Sequence, residues 1–374
     1  MKPFKSLNLS DIHLGCLRLD PTLMVENLQQ FLYPLIEKEK PDLIGIQGDV
    51  FDTSITYADK WSPSVIKFIT GLLYLCEQYQ IQLRVLRGTF SHDRTQSTVF
   101  DVLHRELKLK HPFKYVDVIS MEYIPEFDLT IGYIPDNVPY NSSDEVLLQL
   151  KTIMATNGRD TLDYLYMHGS FDHTLPLAAQ KHCKVLYRTE QFDFVKRFVI
   201  TGHIHKHSIK DHVINNGSPV RLTFGEPEPK GCILIKDDGK DASISFIENT
   251  QTCQYKVYDF SCKDLEEKDL LEEIRKELRE IPLRVECHVK ILHPVTEVSI
   301  QLLTALRQEF PHIWFIRERP LVQTSLTVEE EVIEEEDEVI TPDTLPKVVS
   351  EMVGKKEESL TEQSVKKILE MVEK

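Results

Sequence analysis

Near its N-terminus the chain carries Leu7-Asn8-Leu9-Ser10-Asp11-Ile12-His13-Leu14-Gly15, a short apolar strand that stops in an Asp, a His and a Gly. Four later segments repeat the design. Leu43-Ile44-Gly45-Ile46 runs into Gly48-Asp49-Val50-Phe51-Asp52, and Leu83-Arg84-Val85-Leu86 into Gly88-Thr89-Phe90-Ser91-His92-Asp93. Tyr164-Leu165-Tyr166-Met167 runs into His168-Gly169, and Phe198-Val199-Ile200 into Gly202-His203-Ile204-His205. Runs this short, apolar and bounded by Gly, Asp or His read as buried strands. In open α/β sheets ligands sit beyond the carboxyl ends of strands, and glycines there permit the tight turns that aim polar side chains inward. Taken singly each segment is weak, since an Asp after a Gly is commonly a turn residue. Their ordered recurrence at five strand ends points to one shared site. A mixed His and Asp set without thiolate suits Mn²⁺, Fe²⁺ or Zn²⁺ better than Ca²⁺ or Mg²⁺ alone.

Between these strands lie helix-period segments. Val65, Ile69, Leu72, Leu73 and Cys76 mark one helical face, and Leu28, Phe31, Leu32 and Leu35 another. Pro34 falls inside the second pattern and predicts a kink or an early end there. The alternation defines an α/β layout over residues 1–250. Residues 251–320 change character. Tyr255–Tyr258, Leu283–Leu292 and Ile313–Ile316 read as strands, with helices over Leu265–Leu278 and Val298–Phe310 between them. That is a small second α/β domain, in which Trp314 and Phe315 read as core. Residues 321–340 contain the acidic run EEEVIEEEDE and read as a solvated linker. In residues 341–374, Thr341-Pro342 and Ser359-Leu360-Thr361-Glu362 are helix-start signals, each followed by an apolar stripe. Such helices pack on their own body, dock on a partner, or stay disordered.

A length of 374 residues fits two compact units plus a tail. The net charge of -16 is unevenly spread: residues 321–374 hold 15 acidic and 6 basic residues, leaving 45 and 38 for the rest. The body is thus only mildly acidic, and local basic stretches survive at residues 104–114 and at Lys206, His207 and Lys210. The 7 cysteines are scattered, odd in number and without a CxxC pair, which argues for a reducing compartment. No apolar run approaches the roughly 18–20 residues of a membrane span, and no signal-peptide stretch precedes the first strand. Cys16, beside Gly15, reads as packing.

The five strand-end segments resemble the motifs of the calcineurin-like metallophosphoesterases: DxH, GDxxD, GNHD or GNHE, H, and GHxH. Within that family the chain is most similar to the SbcD-type nuclease subunits of DNA double-strand-break repair. The likeness rests on Ser10-Asp11-Ile12-His13-Leu14-Gly15, on Gly48-Asp49-Val50-Phe51-Asp52, and on Gly217-Ser218-Pro219 through Phe224-Gly225-Glu226-Pro227-Glu228-Pro229-Lys230-Gly231. It covers residues 5–235, and 236–318 more loosely by domain order. The fold it implies is a sandwich of two mixed β-sheets flanked by helices, with a cap domain and a helical C-terminal tail. By motif it implies one divalent ion on Asp11, His13, Asp49 and His205, and a second on Asp49, Ser91, His168 and His203, with Asp49 bridging. The ions would be Mn²⁺, with Mg²⁺ as the alternative. The chain departs from the family in the third motif, where Ser91 precedes the histidine and two extra residues follow Gly88. His92 keeps the place of the general acid, with Asp93 or Asp52 as residues that could orient it. His173 and His207 read as surface or supporting histidines.

The resemblance implies a metal-dependent DNA nuclease with exonuclease and endonuclease action, serving DNA end processing, recombination or repair. The implied partners are DNA, a second copy of the chain, and an SbcC-type SMC-like coiled-coil ATPase held by the tail, with no membrane. The implied setting is the cytoplasm of a bacterial or virus-infected cell, or its nucleoid. The 104–114 stretch is the candidate DNA groove. Two further readings stand beside it: a phosphatase or phosphodiesterase of the same fold, and a scaffold whose site has decayed. Against the phosphatase, Phe51-Asp52-Thr53-Ser54 stands where such enzymes carry a phosphate-binding Arg.

Overall fold

The computed structural model describes residues 2–136, 139–259, 267–283, 285–292 and 296–317. The acidic run and the two helix-start signals expected after residue 320 lie outside the described residues. The chain forms β1 (Phe4–Leu9), α1 (Pro21–Glu39), β2 (Leu43–Gln47), α2 (Ser62–Tyr79), β3 (Gln82–Leu86), α3 (Phe90–Asp93), α4 (Val99–Glu106) and β4 (Phe113–Val116). The hairpin β5 (Ser120–Ile124) and β6 (Leu129–Ile134) follows, then α5 (Ser143–Thr156), β7 (Leu162–His168), β8 (Ser170–Phe171), α6 (Leu177–Gln180) and β9 (Leu186–Tyr187). Next come β10 (Val195–Gly202), β11 (Ser208–Lys210), β12 (Val213–Asn215), β13 (Gly231–Asp237) and β14 (Ala242–Glu248). The last described group is β15 (Gln254–Asp259), α7 (Glu267–Leu278), β16 (Cys287–Leu292), α8 (Thr296–Glu309) and β17 (Trp314–Arg317).

Two six-stranded mixed sheets form the body, in the orders β14-β13-β1-β2-β3-β4 and β11-β12-β10-β7-β6-β5. Strands β1 to β4 run parallel, as do β6, β7, β10 and β12. The alternation of side chains along each strand sorts the core into layers. Phe4, Leu43, Leu86, Ile233 and Ile235 of the first sheet share a core with Ile131, Tyr133, Tyr164, Tyr166 and Ile200 of the second. Their neighbours on the opposite face, Leu7, Leu9, Ile44, Ile46 and Val85, pack on Leu28, Leu32, Val65, Phe68 and Leu72 of α1 and α2. On the far side Leu165, Met167 and Val199 pack on Val146, Leu150 and Met154 of α5. The result is a mixed α/β structure of two sheets sharing one core, with helices outside.

Asp20 caps α1 through the N–H groups of Thr22 and Leu23. The helix runs on through Pro34, where the sequence predicts a kink or an end. Pro34 and Gln30 are both exposed, so the carbonyl that loses its partner faces water. The smaller sheet, β15-β16-β17, is all parallel. Its Val289, Ile291 and Phe315 form a separate core with Ile274, Leu278, Leu302 and Leu306 of α7 and α8. Phe315 is core, as expected. Trp314 is not: it is 60% exposed, because the strand's alternation turns it to the other face.

An ion pair between the buried Arg84 and the half-buried Glu122 ties the two large sheets together. Arg84 Nε on β3 donates to Glu122 Oε1 on β5 at 2.6 Å, and the Tyr133 hydroxyl donates to the same oxygen. Burial pushes the Glu122 carboxyl up, but Arg84 overrides it and holds the group below the usual range. Glu122→Leu strands the Arg84 charge and should cost about 3–5 kcal/mol, read as a lower urea midpoint at pH 7. Because the folded-state pKa is depressed, the carboxylate's contribution is complete above the unfolded value of about 4.3. It fades as pH falls through the folded value, so the gap between wild type and variant should close in acid. A gap independent of pH would show that the pair does not act through its charge.

Candidate metal centre

The strand-end segments converge. β1, β2 and β3 are adjacent and parallel in one sheet, and β7 and β10 in the other, where Gly202 pairs with His168. Beyond β1 and β2 the two loops stay zipped together: Asp11 N–H donates to Gly48 O at 3.0 Å, His13 N–H to Asp49 O at 3.1 Å and Leu14 N–H to Val50 O at 2.8 Å. Asp11, His13, Asp49 and His203 all adopt positive φ, at 53°, 54°, 50° and 97°. Asp and His are among the non-glycine residues that tolerate this region best. Gly48 and Gly88 are required by close approach. A Cβ on Gly48 would lie 2.4 Å from His168 Nδ1, and one on Gly88 would lie 2.0 Å from the Asp49 nitrogen.

Two adjoining groups of donors result. Asp11, His13 and His205 form one, and Asp49, His168 and His203 the other. They are linked by the His203 N–H, which donates to both oxygens of Asp11 at 3.0 and 3.1 Å. In the first group His13 Nε2 and His205 Nε2 face each other at 3.1 Å. Each ring offers its Nδ1 to a carboxylate, His13 to Asp52 at 3.1 Å and His205 to Glu226 at 2.8 Å. That sets both Nδ1 atoms as donors and points two Nε2 lone pairs at one another. Such a contact is repulsive unless a proton or cation lies between. Two nitrogens each about 2.1 Å from one cation at a right angle stand about 3.0 Å apart, so the separation fits a shared ion.

In the second group His168 Nδ1 donates to Gln47 O at 2.7 Å, and its Nε2 stands 3.3 Å from Asp49 Oδ2. Burial works against both charges, yet the pair overcomes it. Asp49 is held below the carboxylate range by His168, His13 and His92, and His168 is raised above the imidazole range by Asp49 and Asp11. Burial and the neighbouring His168 push His203 down, which favours the neutral ring that ligates metals. These buried His and Asp clusters can hold metal ions.

The residue that completes the second group is Thr89. Its N–H donates to Asp49 Oδ1 at 2.6 Å, and its hydroxyl lies 3.2 Å from Asp49 Oδ2 and 3.3 Å from His168 Nε2. Ser91, expected there, is exposed on the short helix α3. Thr89 directly follows Gly88, and the inserted pair is Phe90-Ser91, which starts the helical turn after it. His92 sits at the rim, its ring 4.8 Å from that of His13 and its Nδ1 2.8 Å from the Asp52 carbonyl. Asp52 therefore orients His92 by its backbone, while its carboxylate serves His13 and Arg18. Asp93 does not touch His92 in any described contact. It is fully buried and takes the N–H groups of Phe51 and Gly88, locking the second and third loops together.

Glu226 and Lys230 were not among the expected site residues. The Lys230 ammonium is buried and donates to His205 O at 3.0 Å, 3.1 Å from Glu226 Oε2. Burial alone would raise the Glu226 carboxyl, but His205, the Leu222 N–H and Lys230 bring it to about 2. The four-residue spacing in Glu226-Pro227-Glu228-Pro229-Lys230 was the available signal. His207 stacks on Phe246 and bonds Asn215 O, away from both groups. Cys16 is buried, accepts from Arg18 Nε and packs as expected. In the 104–114 stretch Arg105, Lys108 and Lys110 are exposed, whereas His111 is buried against Glu77 and Lys114 lies on Glu122 and over the Tyr133 ring.

No family model and no curated protein matches the chain. Among solved structures, GAP50, described as the anchor in the inner membrane complex of Plasmodium, is similar with a TM-score of 0.39 at 13% identity, over 67% of this chain and 86% of that one. TT1561 of Thermus thermophilus gives 0.33 at 11% identity, over 66% and 99%. Likenesses this loose carry no function to the present chain.

Two variants separate the roles of the third loop. Thr89→Ala should weaken Mn²⁺ binding measured by calorimetry, whereas Ser91→Ala should leave it unchanged; the reverse result would restore Ser91 to the site. Glu226→Gln removes the carboxylate that orients His205 and should lower metal affinity by about 10–100-fold.

Proposed function

We propose that the chain is a metal-dependent phosphodiesterase of the calcineurin-like type, acting as an SbcD-type DNA nuclease on linear ends and internal sites. The observation that carries the reading is the paired set of facing donors, with His92 poised at its rim. A pair of divalent ions, Mn²⁺ or Mg²⁺, would supply charge neutralisation and an activated water for in-line attack on a phosphodiester. The first ion would be held by Asp11, His13 and His205, the second by His168, His203 and Thr89, with Asp49 reaching toward both.

The chain's own contribution is positional. Asp52 O fixes the His92 tautomer with hydrogen on Nδ1. In the imidazolium form Nε2–H is then the remaining donor, and it protonates the departing 3′ oxygen. The carboxylates of Asp52 and Glu226 orient His13 and His205, each engaging Nδ1 and leaving Nε2 turned to the site. In the same reading the chain works as a homodimer with an SbcC-type coiled-coil ATPase, which residues 341–374 would hold. That assembly belongs to the cytoplasm or the nucleoid. Among the described residues no helix is long and apolar enough to cross a membrane.

Digestion of linear duplex DNA with Mn²⁺ tests the reading. Wild type should degrade it, and His92→Ala should lose about 10²–10⁴-fold in rate while still binding Mn²⁺. Activity on small phosphate esters with none on DNA would favour a phosphatase, and inactivity on both a decayed scaffold. His203→Ala should also abolish digestion with its melting temperature in apo protein preserved. Deleting residues 329–374 should spare digestion and lose capture of the ATPase; retained capture would place the docking surface elsewhere.

A further inference from the structure

The small sheet is parallel, yet among the described residues only one of its faces is covered by helices. Parallel sheets ordinarily have both faces covered. Here α7 and α8 pack on Val289, Ile291 and Phe315, and the opposite face carries a row of rings. Tyr255 on β15 pairs in register with His288 on β16, and His288 with Trp314 on β17. Neighbouring strands place these rings side by side. The centroids of Tyr255 and His288 are 5.0 Å apart at 21°, and those of His288 and Trp314 are 6.0 Å apart at 11°. Glu286 fixes the His288 plane, accepting from Nε2 at 2.8 Å while also taking the Asp20 N–H. The row ends at the exposed Trp314.

This face lines a cleft of about 620 Å³ closed on the other side by residues of the large sandwich, including Arg18, Lys60, Trp61 and Phe224. Its two acids are already engaged: Asp20 caps α1, and Glu286 holds His288 and the Asp20 backbone. Arg18 and Lys60, both largely exposed, place two cations at the mouth, where they balance the charges of Asp20 and Glu286. The walls lead to the metal centre. Arg18 lies 3.4 Å from Asp52, which holds His13, and Phe224 stands two residues before Glu226, which holds His205.

We propose that this cleft binds an unpaired nucleobase of single-stranded DNA, stacked on the row that ends in Trp314, with Arg18 and Lys60 beside the flanking phosphates. Flat rings set in parallel suit the face of a base, beside an apolar lining that includes Leu17, Leu19, Leu222 and Ile316. Aromatic rows on a sheet face are a general means of stacking unpaired bases, tolerant of sequence. DNA as the source of the base rests on the nuclease reading. The site would give the protein a preference for frayed or single-stranded ends over blunt duplex.

Binding is measured on the full chain in EDTA, so that no catalysis enters. The probe is a single strand of about 12 nucleotides carrying 2-aminopurine, compared with a blunt hairpin duplex. Wild type should bind the strand and quench the probe. Trp314→Leu keeps an apolar residue at an exposed sheet edge; it should weaken strand binding about tenfold with duplex binding within about twofold, and Trp314→Phe should recover most of the loss. A thermal melt confirms that each variant is folded. No strand binding by wild type, unchanged strand affinity in Trp314→Leu, or an equal loss on duplex would each overturn the proposal. Strand binding with these signatures but no Mn²⁺-dependent digestion would sink the nuclease reading and leave the cleft standing.

Discussion

Everything around the candidate centre depends on forcing like donors together. Two imidazole nitrogens face each other at 3.1 Å, and three further ligand residues, Asp49, His168 and His203, crowd the adjoining group. No chain collapses into that arrangement for its own sake. Four non-glycine residues are held in left-handed backbone, which costs of order 1–2 kcal/mol for an average residue, less for Asp and His. Against a total stability of about 5–15 kcal/mol, that strain is tolerable only because the surroundings leave no alternative. The loops carrying Asp11 and Asp49 are zipped together, Asp93 pins the third loop to the second, and Gly48 and Gly88 let backbone and ring approach where a Cβ would collide.

The sandwich supplies the alignment. Because the strands bearing the site are parallel and adjacent within each sheet, their carboxyl ends emerge at one edge of a shared core. The inner layer turns polar toward that edge. Gln47 takes the amide of Asn216 at 2.6 Å, and its carbonyl holds His168. Farther along, Arg84, Glu122 and Tyr133 form the charged seam between sheets. An apolar core would have bound the sheets as well, but only directional groups fix how far one sheet slides over the other. That offset decides whether His168 meets Asp49.

Much of this was legible in the residues. The five strands, their order and the motif residues at their ends are local features, set by apolar runs that stop at Gly, Asp or His. The β-α-β-α-β order after residue 250 is likewise visible in periodicity. What was not legible depends on three-dimensional register. Matching by distance from the histidine selects Ser91, but the chain inserts a helical turn after Thr89, so the residue beside the glycine keeps the place in the site. Glu226 and Lys230 act through a loop that folds back on His205, a relation that spacing hints at and cannot establish. Trp314 and Phe315 are neighbours of equal hydrophobicity, and only the strand's phase against α7 and α8 separates core from cleft. Pro34 shows the converse, a strong local signal overruled because the broken bond faces water.

The small sheet and the candidate centre share their walls. Segment 14–19 leaves the first motif, passes Asp52 through Arg18 and reaches the cleft at Leu17, Arg18 and Leu19. Segment 222–226 lines the cleft at Leu222, Thr223 and Phe224, then orients His205 through Glu226. The Tyr255 hydroxyl bonds Leu222 O at 2.8 Å, and Glu286 holds the backbone at Asp20, so the small sheet grips both segments. The small sheet thus holds the same two segments that orient His13 and His205, so the cleft and the candidate centre rest on shared loops.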